Sequence, residues 1–209
     1  MQKKPQQQVR IIGGHWKRTP LTVVDVPGLR PTPDRVRETL FNWLNFLFQS
    51  NWDNKRCLDL FAGSGALGFE AASRGAVQVT IVEAHPLAVG QLEKARDKLK
   101  AQQIRIIRGD ALMVAQKMAV NCLESVVKKG EKSEGKFDVI FLDPPFHHDI
   151  LTKVLPVCAP LLDDNGCLYL EAEKALTAED LPDSLKKWQV LRSDRAGKVY
   201  FHLLHRGSQ

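Results

Sequence analysis

Asp143-Pro144-Pro145-Phe146 follows the apolar run Val139-Ile140-Phe141-Leu142. This places a carboxylate, stiffened backbone carbonyls and an aromatic ring at the carboxyl end of a buried strand. In open parallel sheets that edge is where ligands bind. Each proline has a fixed φ and no N–H, and Pro145 biases Pro144 toward extended backbone. A rigid row of acceptors beside a flat ring suits a planar base whose exocyclic amino group must be held and made reactive. Asp143, Pro144, Pro145 and Phe146 are therefore the expected catalytic set.

A second constellation lies upstream. Strand-like Arg56–Phe61 runs into Ala62-Gly63-Ser64-Gly65-Ala66-Leu67-Gly68. Glycines let a backbone turn sharply and approach a ligand, and the helix that follows offers free N–H groups. Glu83 ends the next strand, where a carboxylate can hold two ribose hydroxyls. These features alone fit a nicotinamide dinucleotide as well as another nucleoside cofactor. Asp59, inside the first strand, can accept from a cationic amino group. Asp110-Ala111 follows a third strand and offers a carboxylate and a small residue where an adenine ring can lie. No nicotinamide reaction calls for the Asp-Pro-Pro-Phe row. S-adenosylmethionine fits all of these positions, and the expected cofactor-binding set is Asp59, Ala62, Gly63, Ser64, Gly65, Glu83, Ala84, Asp110 and Ala111. No metal is expected, because the histidines are scattered and the side chains of adjacent His147 and His148 diverge.

Behind these residues stands an alternation of strands and helices. Strands are expected at 56–61, 77–83, 104–108, 137–142, 166–171, 188–193 and 198–204, with helices at about 66–74, 86–101, 110–127 and 147–161. The pattern predicts an α/β fold: a doubly wound, mostly parallel seven-stranded sheet with an antiparallel edge hairpin from the last two strands. The charged stretch 128–136 reads as a solvated loop. Residues 1–50 form an expected N-terminal extension for RNA contact, and 51–209 the cofactor domain. Within the extension, Val9–Val26 reads as two strands around a Gly13-Gly14 turn. Residues 34–48 read as an amphipathic helix with Thr32 as N-cap and Pro33 at the first helical position.

The net charge of +6 is concentrated at the front. Residues 1–37 hold eight Lys/Arg against two acidic residues, and the remaining 22 basic and 22 acidic residues cancel. A basic front on a neutral body points to a polyanion. Arg10, Trp16, Lys17, Arg18, Arg30, Arg35 and Arg37 are the expected RNA-binding residues. Arg35 and Arg37 fit contact with phosphate or the cofactor's carboxylate and pairing on the surface equally well, and Trp16 fits either stacking on a base or packing the hairpin. The four cysteines lack close-spaced ligand pairs and read as buried thiols in a reducing cytosol. The N-terminus has no signal-like apolar stretch and no run reaches membrane-spanning length, so a cytoplasmic protein without membrane contact is expected.

Asp59–Gly68, Glu83, Asp110 and Asp143–Phe146 resemble the ordered motifs of class I S-adenosylmethionine-dependent methyltransferases acting on exocyclic amino groups. Arg10-Ile11-Ile12-Gly13-Gly14, Arg30–Asn42 and Phe61–Gly68 narrow the resemblance to the bacterial RsmD-type enzymes. It implies methylation of a guanine N2 in 16S ribosomal RNA, in an assembling or assembled small subunit, by a monomer. An adenine-N6 methyltransferase on DNA or another RNA is the alternative, since the same strand tip serves adenine's amino group.

Overall fold

The computed structural model describes residues 7–26, 32–129, 136–145, 150–181 and 183–206. Two compact units divide the chain, Met1–Gly109 and Asp110–Gln209. The first carries the hairpin β1 (Gln8–Arg10) and β2 (Pro20–Thr22), then α1 (Asp34–Leu47), β3 (Arg56–Asp59), α2 (Ala66–Ser73), β4 (Gln78–Glu83), α3 (Pro86–Leu99) and β5 (Ile104–Arg108). The second carries α4 (Ala111–Lys129), β6 (Phe137–Leu142), α5 (Ile150–Cys158), β7 (Leu162–Ala172), β8 (Trp188–Ala196) and β9 (Val199–Arg206).

The main sheet has seven strands in the order β5-β4-β3-β6-β7-β9-β8. In the first unit β3, β4 and β5 run parallel. In the second, β6 and β7 are parallel while β9 pairs antiparallel with both β7 and β8. This is the expected α/β fold with its antiparallel edge hairpin. Strands covered on both faces read as continuous apolar runs, and Val139, Ile140, Phe141 and Leu142 are all fully buried.

Several local expectations shift. Helix α1 starts at Asp34 with Pro33 in the N-cap position and no side-chain cap. Thr32 is instead a buried residue whose carbonyl accepts from Arg37 Nε at 3.2 Å. The last turn of α4 reaches Lys129, two residues into the stretch read as a loop; residues 130–135 lie outside the described residues. Strand β7 begins at Leu162, four residues early, where the register against β6 shifts between Phe137 and Val139. Gly166 permits that irregularity, because a Cβ there would meet the Phe137 carbonyl at 2.9 Å. The four cysteines are buried thiols. Among the described residues no helix is long and apolar enough to cross a membrane.

Within the first unit the N-terminal hairpin is joined to the helix that follows the glycine loop. The hairpin loop is fastened to α2 through Glu70, a fully buried carboxylate. Glu70 accepts the backbone N–H of Ile12 at 2.6 Å, that of Gly13 at 2.8 Å, and Arg74 Nε at 2.8 Å. Ser73 Oγ donates to the Gly13 carbonyl and accepts from the Trp16 amide, while His15 N–H donates to the Ser73 carbonyl. Gly14 has φ +73°, and a Cβ there would fall inside the Ser73 carbonyl. Gly13-Gly14 is thus a docking surface for the end of α2, inside a loop that closes only at Thr19, whose carbonyl accepts from the Ile11 amide.

Candidate active site

In the first unit, β3 delivers Asp59 and the chain turns at once through the glycine loop. Gly63 and Gly65 have φ of +53° and +77°, the left-handed region that glycine enters without steric cost. A Cβ on Gly65 would also overlap Leu92 and Phe69. Gly68 answers a different need: a Cβ there would lie 2.7 Å from Ile81 Cδ1, so its absence lets α2 lie close on β4. The loop is pinned by Ala62 N–H to the Val82 carbonyl at 3.1 Å and Gly65 N–H to the Ala62 carbonyl at 2.7 Å.

Two carboxylates frame this loop. Glu83, at the end of β4, accepts Gly63 N–H on Oε2 at 2.8 Å and His85 N–H on Oε1 at 2.7 Å. A carboxylate has about four acceptor sites, so these bonds set its orientation and leave room for two hydroxyls. Asp59 is 1% exposed and accepts Gly68 N–H on Oδ2 at 3.0 Å. Burial pushes its carboxyl up to about 7, with the Glu83 charge adding to the rise and the Gly68 and Phe61 amides opposing it. A buried acid held near neutrality becomes a strong acceptor when a cation arrives. An ammonium for Asp59, a diol for Glu83 and close backbone approach at Gly63–Gly65 fit S-adenosylmethionine. Ala62 and Ser64 are buried loop residues and Ala84 is exposed beyond the strand end.

The second unit holds the other expected residues. Asp110 is exposed and caps α4, with Oδ1 accepting from Met113 N–H at 2.9 Å, while Ala111 is buried behind it. At the end of β6, Asp143 is half-buried, Pro144 buried and Pro145 exposed. Phe146, with His147 and His148, lies outside the described residues, as does Arg30. Among the described residues no group of three or more His, Cys, Asp or Glu could hold a metal ion.

The basic residues of the hairpin and of α1 divide in two. Arg10, Lys17, Arg18 and Arg35 are exposed and Trp16 is half-buried. Arg37 is a correction: its side chain is fully buried, so it is not a surface cation. Its guanidinium donates to the Arg10 carbonyl at 2.8 Å, the Thr32 carbonyl at 3.2 Å and Asp34 Oδ1 at 2.6 Å. Five N–H donors in a rigid fork can join three separate acceptors. The residue ties β1 to the start of α1.

Sequence reasoning overlooked Glu70, Tyr169 and Glu171. The available signal was the same for each, a polar group inside an apolar run: Leu67-Gly68-Phe69-Glu70-Ala71-Ala72 and Leu168-Tyr169-Leu170-Glu171-Ala172. Tyr169 and Glu171 are both buried and bonded to each other at 2.8 Å.

The family described as "Conserved hypothetical protein 95" matches residues 9–205 of the chain. The chain is 39% identical to "Ribosomal RNA small subunit methyltransferase D" of Escherichia coli (strain K12), over 99% of its own length and 96% of that protein. It is 37% identical to the protein of the same name from Haemophilus influenzae, covering 94% and 93% respectively. Among solved structures, a putative methyltransferase from Escherichia coli superposes with a TM-score of 0.75 at 33% identity, covering 97% of this chain and all of that one.

Proposed function

The chain belongs to the conserved hypothetical protein 95 family, and from that premise we propose that it methylates the exocyclic N2 amino group of a guanine in small-subunit 16S ribosomal RNA, with S-adenosylmethionine as donor. The observation that carries this reading is the Asp59–Gly65–Glu83 cradle of the first unit. S-adenosylmethionine supplies an electrophilic methyl group on a sulfonium, so positioning and electrostatics fall to the protein.

Asp59 holds the donor's ammonium, Glu83 its ribose hydroxyls, and Asp110 and Ala111 border its adenine. The lone pair of guanine N2 is delocalised into the ring, which makes the amino group a poor nucleophile. The Asp143 carboxylate and the Pro144 carbonyl accept its two N–H bonds, favour a pyramidal nitrogen and aim the lone pair. Once methylated, N2 would be more acidic, and Asp143 or water would accept its proton. Phe146 stacks on the flipped base. Alignment of this kind contributes about 7–11 kcal/mol to barrier lowering. The exposed cations Arg10, Lys17, Arg18 and Arg35, with Arg30, contact phosphates, and the ring of Trp16 borders them.

The test uses labelled S-adenosylmethionine with small-subunit particles lacking the modification, protein-free 16S RNA, and adenine-rich DNA, each digested to nucleosides. N2-methylguanosine from either RNA substrate is expected. Methyladenine from DNA would keep the site chemistry and overturn the substrate.

Asp59 makes donor binding pH-dependent. Its carboxyl, raised from 3.8 to about 7, favours the protonated folded state, so its contribution to stability without donor is full below pH 3.8 and is lost as pH rises through about 7. Binding of an ammonium draws the group into its ionised form. Donor affinity is therefore expected to fall up to about tenfold per pH unit below neutrality and to level off above it. Calorimetry in two buffers of different ionisation enthalpy should show release of up to about one proton near pH 6. Asp59→Asn should abolish both the slope and the release.

A further inference from the structure

The transfer just described leaves two buried polar groups of β7 unused. Tyr169 is fully buried and Glu171 is 3% exposed, and the Tyr169 hydroxyl donates to Glu171 Oε1 at 2.8 Å. Burying a carboxylate is costly even when it is paired, so such a group is weak evidence for stability and better evidence for a site. The register places the pair beside the strand tip. Phe141 is the partner of Tyr169 and Leu142 of Leu170, which makes Asp143 and Glu171 the next residues on strands about 4.8 Å apart. Residues two apart on a strand share a face, so Glu171 lies on the face of Tyr169, while Asp143 directly follows the last residue of β6. Burial, then the charges of Glu171 and Asp143, push the Tyr169 phenol well above its ordinary range. Glu171 takes this hydroxyl's hydrogen bond, and Asp143 stands one residue beyond the paired end of β6.

A phenol has a single proton to donate, and a charged acceptor outcompetes a neutral one. Donated to Asp143, that proton would occupy the oxygens that must receive the base's N–H and would weaken them as acceptors. Donated to Glu171, as it is here, it leaves that competition. We propose that Glu171 is a positioning residue for the transfer: it draws the Tyr169 hydroxyl proton away from Asp143 and so preserves Asp143 as the acceptor of the substrate amino group. The inference rests on the reading that Asp143 receives that group.

The experiment measures kcat, RNA KM and donor Kd for wild type, Glu171→Gln, Tyr169→Phe/Glu171→Gln and Asp143→Ala. In Glu171→Gln the neutral amide no longer holds the hydroxyl against charged Asp143. We expect kcat to fall about tenfold or more, within the range seen for residues that orient a catalytic group, with donor Kd and RNA KM unchanged. Removing the hydroxyl as well should restore most of the lost kcat. A purely structural role for Glu171 predicts no such recovery. The double variant also removes the buried charge together with its partner, so its kcat remains readable if Glu171→Gln fails to fold; a double-variant kcat still down tenfold overturns the proposal. Wild-type kcat in Glu171→Gln overturns it too, while loss of transfer in Asp143→Ala leaves the underlying reading standing. Full activity in Asp143→Ala overturns both.

Discussion

Asp143→Ala is expected to lower kcat for methyl transfer by about 10²–10³-fold, the usual effect of deleting one preorganised group that meets charge as it develops. Donor affinity should stay at the wild-type value if, as proposed, Asp59 and Glu83 of the first unit hold the donor's ammonium and ribose. RNA affinity should also hold if the exposed cations of the N-terminal segment carry it, as proposed. Asp143→Asn keeps one acceptor oxygen and loses the charge, and is expected to fall between alanine and wild type. Single-turnover transfer with saturating donor separates these effects. A fall in donor affinity that accounts for the whole loss would assign Asp143 to the cofactor and not to the base.

Arg37→Ala should be the most destabilising single change in the hairpin region, by about 3 kcal/mol. It removes three hydrogen bonds from a side chain with no solvent exposure, leaves the Arg10 and Thr32 carbonyls without this donor, and opens a cavity behind α1. Lysine should not rescue it, since one ammonium on a flexible stem cannot reproduce a fork aimed at three acceptors. Arg35→Ala, two residues earlier and exposed, supplies the contrast. Its urea midpoint should move by less than about 0.5 kcal/mol equivalent, while its RNA affinity falls and the salt dependence of binding flattens. If Arg37→Ala left the urea midpoint unchanged and flattened the salt dependence instead, the residue would belong to the RNA surface after all.

This pair marks where one-dimensional reading runs out. Arg35 and Arg37 are the same residue type, two apart at the start of one amphipathic helix, and the sequence offered no ground to separate them. A helical period shows which positions share a stripe. It does not show that the Arg10 carbonyl from a strand 27 positions earlier would arrive at that stripe. The buried face of α1 proved to be Val36, Arg37, Leu40, Phe41 and Leu44, with Leu47 partly exposed. Leu47 follows Leu40 and Leu44 at helical spacing yet is partly exposed, while Arg37 is buried, because burial of a cation depends on partners brought by other elements. Gly13-Gly14 is a similar case. A glycine pair between two short strands reads as a hairpin tip, and only the packed structure reveals that the Ser73 carbonyl occupies the space where a Cβ would sit.

What the sequence determined by itself is local and periodic. It set the order of strands and helices, the left-handed glycine turn after β3, the carboxylates at the ends of β3, β4 and β6, and the proline-stiffened tip, because each follows from backbone sterics or from burial of a short apolar run. Tertiary structure alone decided which polar groups share a proton or a donor. Glu70 clamps the hairpin loop, Arg37 closes β1 onto α1, and Tyr169 gives its hydroxyl proton to Glu171. The physical reason is that a buried polar group must find its partner wherever the fold brings one, and across 58 positions, as between Ile12 and Glu70, no period in the chain encodes the meeting.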